Sequence, residues 1–225
     1  MFINSFKGKK ISVFAAHPDD ELLGAGATFA KLIDQGIEVH AFILCEGESI
    51  RYKNNNNVSL YDCAKKAASI IGFSSIKFID LPEQRLDSLS LIEINKKIEN
   101  ILDNIKPDII FTHFEGDINR DHRILNESIM VASRPFGRNI SEVYAFETPS
   151  STGLWNRYNF NPDTFVVIDD FIDVKIKALE CYESEILEYP HPRSKESIKS
   201  RAKYWGSIVN KNHVEPFVTH RRILI

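Results

Sequence analysis

The feature that most constrains the fold of this chain is the regular alternation of short apolar segments with longer amphipathic segments. We predict buried strands at residues 10–16, 38–45, 76–81 and 108–113, and helices at 21–35, 59–71 and 90–105. Nearly continuous apolar strands separated by helices are typical of parallel sheets that are covered on both faces. The first half of the chain therefore predicts an α/β fold with a mostly parallel sheet.

The last third of the chain is less regular. Strands are predicted at 142–147 and 164–168, helices at 171–187 and 194–209, and loops around Pro190, Pro192 and Pro216. No segment has the composition of an interdomain linker, and 225 residues suit one core. We therefore expect a single domain over residues 1–225.

Composition and charge exclude several classes of partner. The formal net charge is −3, which gives no basic surface for nucleic acid. The first ten residues lack the apolar stretch of a signal peptide, and no run of apolar residues is long enough for membrane insertion. The cysteines (Cys45, Cys63 and Cys181) are odd in number and widely spaced, so we expect free thiols in a cytoplasmic protein. The sequence leaves homo-oligomerisation open.

Two polar loops follow the first and fourth predicted strands, at residues 17–21 and 116–123. The carboxyl ends of neighbouring parallel strands meet at one edge of the sheet, where ligands bind. His17 and Asp20 are three residues apart at a strand-to-helix junction, and His122 comes from the second loop. Two imidazoles and one carboxylate are a ligand set for catalytic zinc, which keeps one position open for water. Asp19 would then lie beside that water as a general base.

Each loop also has a simpler interpretation. The acidic run Asp19-Asp20-Glu21 suits the positive end of a helix dipole, and His17 could be an ordinary loop histidine. However, three adjacent acidic residues repel one another, and a divalent cation relieves that repulsion. Together, the two loops favour a metal site.

The first loop carries the motif Ala16-His17-Pro18-Asp19-Asp20-Glu21, followed by Gly24 and Gly26, and the second carries Asp121-His122-Arg123. These motifs resemble those of the LmbE/PIG-L family of zinc-dependent deacetylases, and the order of elements agrees over residues 9–150. The resemblance implies a Rossmann-like three-layer α/β/α sandwich and one zinc ion per chain. It also implies hydrolysis of an N-acetyl amide on a small amino-sugar substrate.

The resemblance implies a role for individual residues. His17, Asp20 and His122 match the metal ligands, Asp19 matches the general base, and Asp121 would orient a neighbouring group. The sequence departs from the family at Asn119, where members often have a histidine. An asparagine amide can donate a hydrogen bond to a developing oxyanion, but it cannot act as an acid. Protonation of the leaving amine would then fall to Asp19, or to another histidine.

Candidate substrate contacts are weaker predictions. His113 and His191 are the histidines that could protonate or bind substrate, and Arg51 and Arg193 could bind a phosphate or carboxylate group. Glu147 could face the cleft, and an aromatic cluster could either stack on a sugar ring or pack in the core; this cluster comprises Trp155, Tyr158 and Phe160.

The function expected from the sequence is a zinc-dependent hydrolase that releases acetate from an N-acetylated amino sugar. An amidase acting on a thiol-sugar conjugate would use the same ligands. Two other classes stay open, a metal-dependent phosphoesterase and a catalytically silent sugar-binding protein. A nucleotide cofactor is not expected, because the Gly24–Gly26 pair follows an acidic turn that would repel a pyrophosphate.

Overall fold

The computed structural model describes residues 6–45, 59–154 and 159–224, in which strands and helices alternate. The strands are β1 (Lys10–Ala15), β2 (Glu38–Cys45), β3 (Ser75–Leu81), β4 (Ile109–His113), β5 (Glu142–Phe146), β6 (Thr164–Val167) and β7 (Val214–Arg222). The α-helices are α1 (Asp20–Asp34), α2 (Leu60–Ile71), α3 (Leu91–Ile105), α4 (Arg120–Ala132), α5 (Ile172–Leu179) and α6 (Lys195–Ile208). A short 3-10 helix spans Leu86–Ser88.

All of these strands form one sheet in the order β3-β2-β1-β4-β5-β7-β6. The first five are parallel to one another, and β7 is antiparallel to both β5 and β6. This arrangement confirms the α/β class with a mostly parallel sheet. The single domain over residues 1–225 stays a prediction.

Helices cover both faces of the sheet. Successive residues of β4 point to opposite faces, so Phe111 lies in one apolar core and Ile110 in the other. The first core includes residues of α1, α2, α5 and α6, and the second includes residues of α3 and α4. The three-layer arrangement is therefore confirmed. Within the described ranges, no helix is both long and apolar enough to span a bilayer.

The strand order positions a crevice at the carboxyl ends of β1 and β4. From β1 the chain adds β2 and β3 on one side, whereas β4 and β5 lie on the other. The connections thus leave β1 and β4 in opposite directions, which opens a space above the two strand ends. Both polar loops singled out in the sequence lie at this point.

One predicted helix was too long, and two elements were not predicted. The helix predicted at 171–187 ends at Leu179, and the chain continues in tight turns, where the Tyr182 N–H donates to the Leu179 carbonyl (2.9 Å). Helix α4 was not predicted, and its charged first turn overlaps the polar loop predicted at residues 116–123. Strand β7 was missed because it contains Pro216 and four polar residues near its end.

Candidate metal centre

The turn between β1 and α1 brings His17 next to Asp20. The His17 backbone N–H donates to Asp20 Oδ2 (3.0 Å), which closes the turn over three residues. Asp19 precedes the helix with φ 99° and ψ −29°, a left-handed conformation that is unusual for a residue with a side chain. Strained residues of this kind cluster at functional sites.

Three ligand atoms from the two loops meet at one point. Asp20 Oδ2 lies 3.1 Å from His17 Nδ1 and 3.1 Å from His122 Nε2. The two imidazole nitrogens are 3.2 Å apart. Bonds of about 2.0–2.1 Å in a tetrahedral zinc site separate the ligand atoms by about 3.3 Å. The spacing therefore fits a zinc ion with only small adjustments.

The donor set also fits a cation chemically. Asp20 Oδ1 is buried and accepts no hydrogen bond from any described residue, so this carboxylate can still interact with a cation. His17, Asp20 and His122 together are a group that could hold a metal ion. The structure thus brings the three predicted ligands together, and their binding of a metal stays a prediction.

Asp121 supports the imidazole of His17 from behind. Its Oδ2 lies 3.1 Å from His17 Nε2, the ring nitrogen that faces away from Asp20. Its Oδ1 accepts a hydrogen bond from the Leu86 N–H (3.1 Å), which anchors the carboxylate to the 3-10 helix. A carboxylate on the far nitrogen of a histidine fixes the tautomer that presents a lone pair to a metal.

Asp117 supports His122 in the same way. Its Oδ2 lies 3.1 Å from His122 Nδ1, and the carboxylate accepts hydrogen bonds from the hydroxyls of Ser151 (2.8 Å) and Thr152 (2.7 Å). Each candidate imidazole ligand therefore has a buried carboxylate oxygen 3.1 Å from its opposite ring nitrogen, as a hydrogen bond at His17 and as an ion-pair contact at His122.

The surrounding charges favour a positive charge at this point. Burial opposes protonation of His17, but hydrogen bonds to Asp121 and Asp20 raise its pKa well above the usual value. Burial also acts against the Asp20 carboxylate, but the charge of His122 and of His113 holds its pKa well below the usual range. A cation among these carboxylates is thus stabilised electrostatically.

Asp19 lies beside the three ligands with its two oxygens in different environments. Its Oδ2 accepts a hydrogen bond from Arg193 Nη1 (2.7 Å). Its Oδ1 is buried and accepts none from the described residues. Burial raises the pKa of Asp19 to about 8, although the guanidinium of Arg193 opposes the shift. A carboxyl group with a pKa near neutrality is suited to both accepting and donating a proton.

The centre opens into a cavity of about 460 Å³. Its lining is mostly polar and consists of Gln84, Ile118, Asn119, Arg120, His122, Ser150, Ser151, Glu185, Leu187, His191 and Arg193. A small molecule can therefore reach His122 from solvent.

Comparison with protein families shows to which family the chain belongs. The family model described as PIG-L, GlcNAc-PI de-N-acetylase, matches residues 12–133, which is more than half of the chain. The chain belongs to the PIG-L family. The matched segment runs from β1 through α4 and contains both loops of the candidate centre.

Individual proteins are similar over most of their length. The diacetylchitobiose deacetylase of Thermococcus kodakarensis is 26% identical, over 92% of this chain and 81% of its own. The probable N-acetyl-alpha-D-glucosaminyl L-malate deacetylase 2 of Bacillus cereus is 24% identical, over 83% of this chain and 90% of its own. The solved structure of N,N'-diacetylchitobiose deacetylase from Pyrococcus horikoshii, at 22% identity, superposes with a TM-score of 0.75 over 97% of this chain and 86% of its own. It shows the same fold.

Within this PIG-L domain, the remaining predicted residues lie at different depths. Asn119, His191 and Arg193 line the cavity. His113 is fully buried beneath the ligands, where Nε2 accepts a hydrogen bond from the Ala16 N–H (3.0 Å) and Nδ1 lies 3.2 Å from Thr148 Oγ1. With both ring nitrogens engaged, this histidine is placed to support the loops rather than to contact substrate.

Several weaker candidates lie elsewhere. Arg51, Trp155 and Tyr158 fall outside the described residues. Glu147 turns away from the cavity and pairs with Arg201 and Trp205 of α6, whose Nε1 donates to it (2.8 Å). Phe160 packs edge-on against Phe114 and Trp205, with ring centroids 5.2 and 5.9 Å away, as expected for core packing.

Sequence reasoning missed three residues that contact the site. Asp117 holds His122, Gln84 Nε2 lies 3.2 Å from His17 Nε2, and Glu185 Oε2 accepts a hydrogen bond from Arg193 Nη1 (2.9 Å). Only Asp117 carried a local signal, because it lies in the same polar loop as Asn119 and its Oδ1 accepts the Asn119 N–H (2.8 Å). The other two depend on tertiary packing.

Proposed function

We propose that this chain is a zinc-dependent hydrolase that removes the acetyl group from the nitrogen of an amino sugar, releasing acetate and a free amine. The observation that carries the proposal is the meeting of His17, Asp20 and His122 atoms at 3.1–3.2 Å beside the buried carboxyl group of Asp19. The deacetylases named among the relatives support the reaction class.

The metal would be held by His17 Nδ1, Asp20 Oδ2 and His122 Nε2, one ion per chain. When bound, zinc supplies Lewis acidity toward a carbonyl oxygen and lowers the pKa of water. Two imidazoles and one carboxylate also suit iron(II), so the choice of zinc is part of the proposal.

Asp19 is assigned both proton transfers. Its Oδ1 is free of hydrogen bonds from the described residues, so it can accept a proton as water attacks the amide carbon. Arg193 holds Oδ2 at 2.7 Å, which keeps the carboxyl group in one orientation. The proton is then available for the departing amine, and the burial that raises the pKa of this group to about 8 favours its retention until that step.

Asn119 has a separate role at the reacting carbonyl. Its side-chain oxygen is occupied, because it accepts the Asp121 N–H at the start of α4 (2.9 Å). Its amide nitrogen is therefore the group that can donate toward the carbonyl oxygen as negative charge develops there. This assignment explains how an asparagine can replace the histidine often found in the family.

The cavity of about 460 Å³ supports a small molecule as the expected partner. His191 and Arg193 at its wall are proposed substrate contacts, and Arg51, outside the described residues, is retained as a third. Cytoplasmic location stays a prediction, and homo-oligomerisation stays open.

The test is an acetate-release assay across N-acetylated sugars, including N-acetylglucosamine and N,N'-diacetylchitobiose, with zinc present and after chelation. Acetate released only by the metal-loaded protein supports the proposal. Hydrolysis of phosphate esters without acetate release would contradict it and would indicate a phosphoesterase. Sugar binding without turnover of any N-acetylated compound would indicate a binding protein instead.

A further inference from the structure

Helix α1, which carries the catalytic turn at its start, is broken one turn later. Ala25 has φ −145° and ψ 19°, which is not helical. The break follows Gly24, where an added Cβ would lie 2.2 Å from Phe146 Cδ2. Close contact with β5 at this point separates the first turn, with Asp20 and Glu21, from the rest of the helix.

A buried ion pair lies at the break. Lys175 Nζ on α5 donates to the Leu23 carbonyl (2.8 Å), and Glu215 Oε1 on β7 accepts the Ala27 N–H (3.2 Å). Leu23 and Ala27 are four residues apart, so in a continuous α-helix the Ala27 N–H would donate directly to the Leu23 carbonyl. Lys175 Nζ and Glu215 Oε1 are 2.6 Å apart, so the ion pair bridges the two groups.

The bridge continues for one further residue. Glu215 Oε2 accepts the Thr28 N–H (2.7 Å), so the carboxylate caps the second part of α1 with both oxygens. The ammonium caps the last carbonyl of the first part. Each charge therefore satisfies backbone groups that the break would otherwise leave buried without partners.

This pair is an unusual choice for an interior. Lys175 and Glu215 are only 4% and 3% exposed. Apolar residues of similar size are often at least as stable as an isolated buried ion pair, so the attraction between the two charges does not by itself account for them. The backbone groups of α1 that they cap do account for them. What the pair does provide is a fixed direction for the first turn of α1, because α5 and β7 anchor it from two sides.

We propose that Lys175 and Glu215 are positioning residues, which hold the broken helix in the conformation that aims Asp19 and Asp20 at the metal centre. Neither residue is among those lining the cavity or supplying ligand atoms. Their effect on the reaction is exerted through the backbone of α1. The effect of these residues on the reaction rests on the proposed function, but the bridge itself can be tested without measuring activity.

The test compares the wild type with Lys175→Met, Glu215→Gln and the apolar double variant Lys175→Met/Glu215→Leu. The double variant removes both charges, so it avoids an unpaired buried charge, although the Leu23 carbonyl and the Ala27 and Thr28 N–H groups lose their partners. Glu215→Gln, which keeps an acceptor oxygen, is the milder variant and is expected to show a smaller loss in the same direction. Zinc affinity is measured on the metal-free proteins by competition with a chelator, and kcat and KM on the loaded ones. We expect zinc affinity and kcat to fall about tenfold in the double variant, with KM little changed.

Lys9→Met/Glu142→Leu is the matched control, because Glu142 is buried and Lys9 Nζ lies 2.9 Å from it at the opposite end of the sheet. This control is expected to lose stability without losing zinc affinity. Wild-type affinity and kcat in the Lys175/Glu215 double variant would overturn the proposal, as would an equal loss in the control.

Hydrogen exchange at the amides of Ala27 and Thr28 provides a readout without metal. The proposal requires these two amides to exchange faster in the double variant but not in the control, whether or not the protein releases acetate. Unchanged exchange in the double variant overturns the proposal.

Discussion

At the scale of single residues, the site divides its carboxylates into distinct tasks. Asp20 faces the imidazoles of His17 and His122, and Asp121 and Asp117 lie behind those imidazoles. Asp19 has one oxygen that accepts no hydrogen bond from the part of the chain that the structure describes. Position alone assigns these tasks, because the side chains are chemically identical. Substitutions of Asp to Asn can therefore separate metal binding from proton transfer.

Asp19→Asn is expected to abolish most turnover while leaving the metal bound. Asparagine tolerates the left-handed backbone of this residue, but it cannot accept the proton, so kcat should fall by about 10²–10⁴-fold. Acetate release and metal content are measured on the same preparation. Asp34→Asn, an exposed change at the end of the same helix, is the control. Retention of most activity by Asp19→Asn would show that the base is another group.

Asp117→Asn is expected to weaken zinc binding about 10–100-fold, because the amide can no longer fix the tautomer of His122 as a carboxylate does. Competition with a chromogenic chelator measures the affinity. Asp169→Asn is the matched control, since Asp169 pairs with His213 (3.3 Å) away from the centre. If both variants bind zinc as tightly as the wild type, Asp117 has no supporting role.

The candidate ligands and the candidate base could be singled out from the sequence because they lie in two short motifs, one of which spaces His17 and Asp20 three residues apart. It did not predict the partner of His122 Nδ1. That partner is selected by the bend of the loop before α4, where Asp117 is oriented by hydroxyls of Ser151 and Thr152 more than thirty residues later. Contacts of this range leave no local pattern.

At the scale of elements, α1 shows how tightly the catalytic turn is packed. Gly24→Ala is expected to lower the free energy of unfolding by about 1–3 kcal/mol, because the new methyl group would collide with Phe146. At Gly26 the nearest atom to an added Cβ is Lys175 Cγ at 3.4 Å, so Gly26→Ala should change stability by less than about 1 kcal/mol. Urea unfolding of the two variants measures the difference. Equal stability of both would show that β5 does not constrain this turn.

The elements that local sequence patterns failed to predict were missed for a shared physical reason. In α4 the first turn is occupied by charged residues of the site, so its apolar spacing begins only at Ile124. In β7, Pro216 suggested a loop, yet the strand pairs with both β5 and β6. Conversely, residues 180–187 resemble a helix in composition, but they form turns, and Glu185 accepts a hydrogen bond from Arg193 (2.9 Å). Tertiary contacts outweigh local preference in each case.

At the scale of the whole molecule, the buried acidic residues link metal binding to stability. Asp19, Asp20 and Glu21 are adjacent and each at most 2% exposed. Asp20 keeps its charge, because neighbouring imidazoles hold its pKa well below the usual range. A cation that binds this carboxylate should stabilise the folded chain, since a ligand that binds only the folded state adds about 2.7 kcal/mol at a hundred times its Kd. Chelation is therefore expected to lower Tm, and added zinc to restore it.

Scanning calorimetry with and without chelator measures that shift. His122→Ala removes one ligand, so its Tm should respond little to chelation. Coincident unfolding curves for the wild-type protein in both conditions would argue against a metal in the folded chain.

The fold as a whole was predictable, because apolar strands alternating with helices specify a parallel sheet with covered faces. The position of the site was predictable as well, since both polar loops follow neighbouring strands. The antiparallel end of the sheet was not, because the pairing of β7 between β5 and β6 depends on contacts far apart in the chain.

The most direct test of the account is the metal content of the purified protein, measured by elemental mass spectrometry for the wild type and for His122→Ala. His40→Ala serves as the control, since His40 lies on β2 and contacts Ser75 and Glu38 instead. We expect about one zinc ion per chain in the wild type and in the control, and almost none in His122→Ala. A His122→Ala protein that keeps a full complement of metal would contradict it.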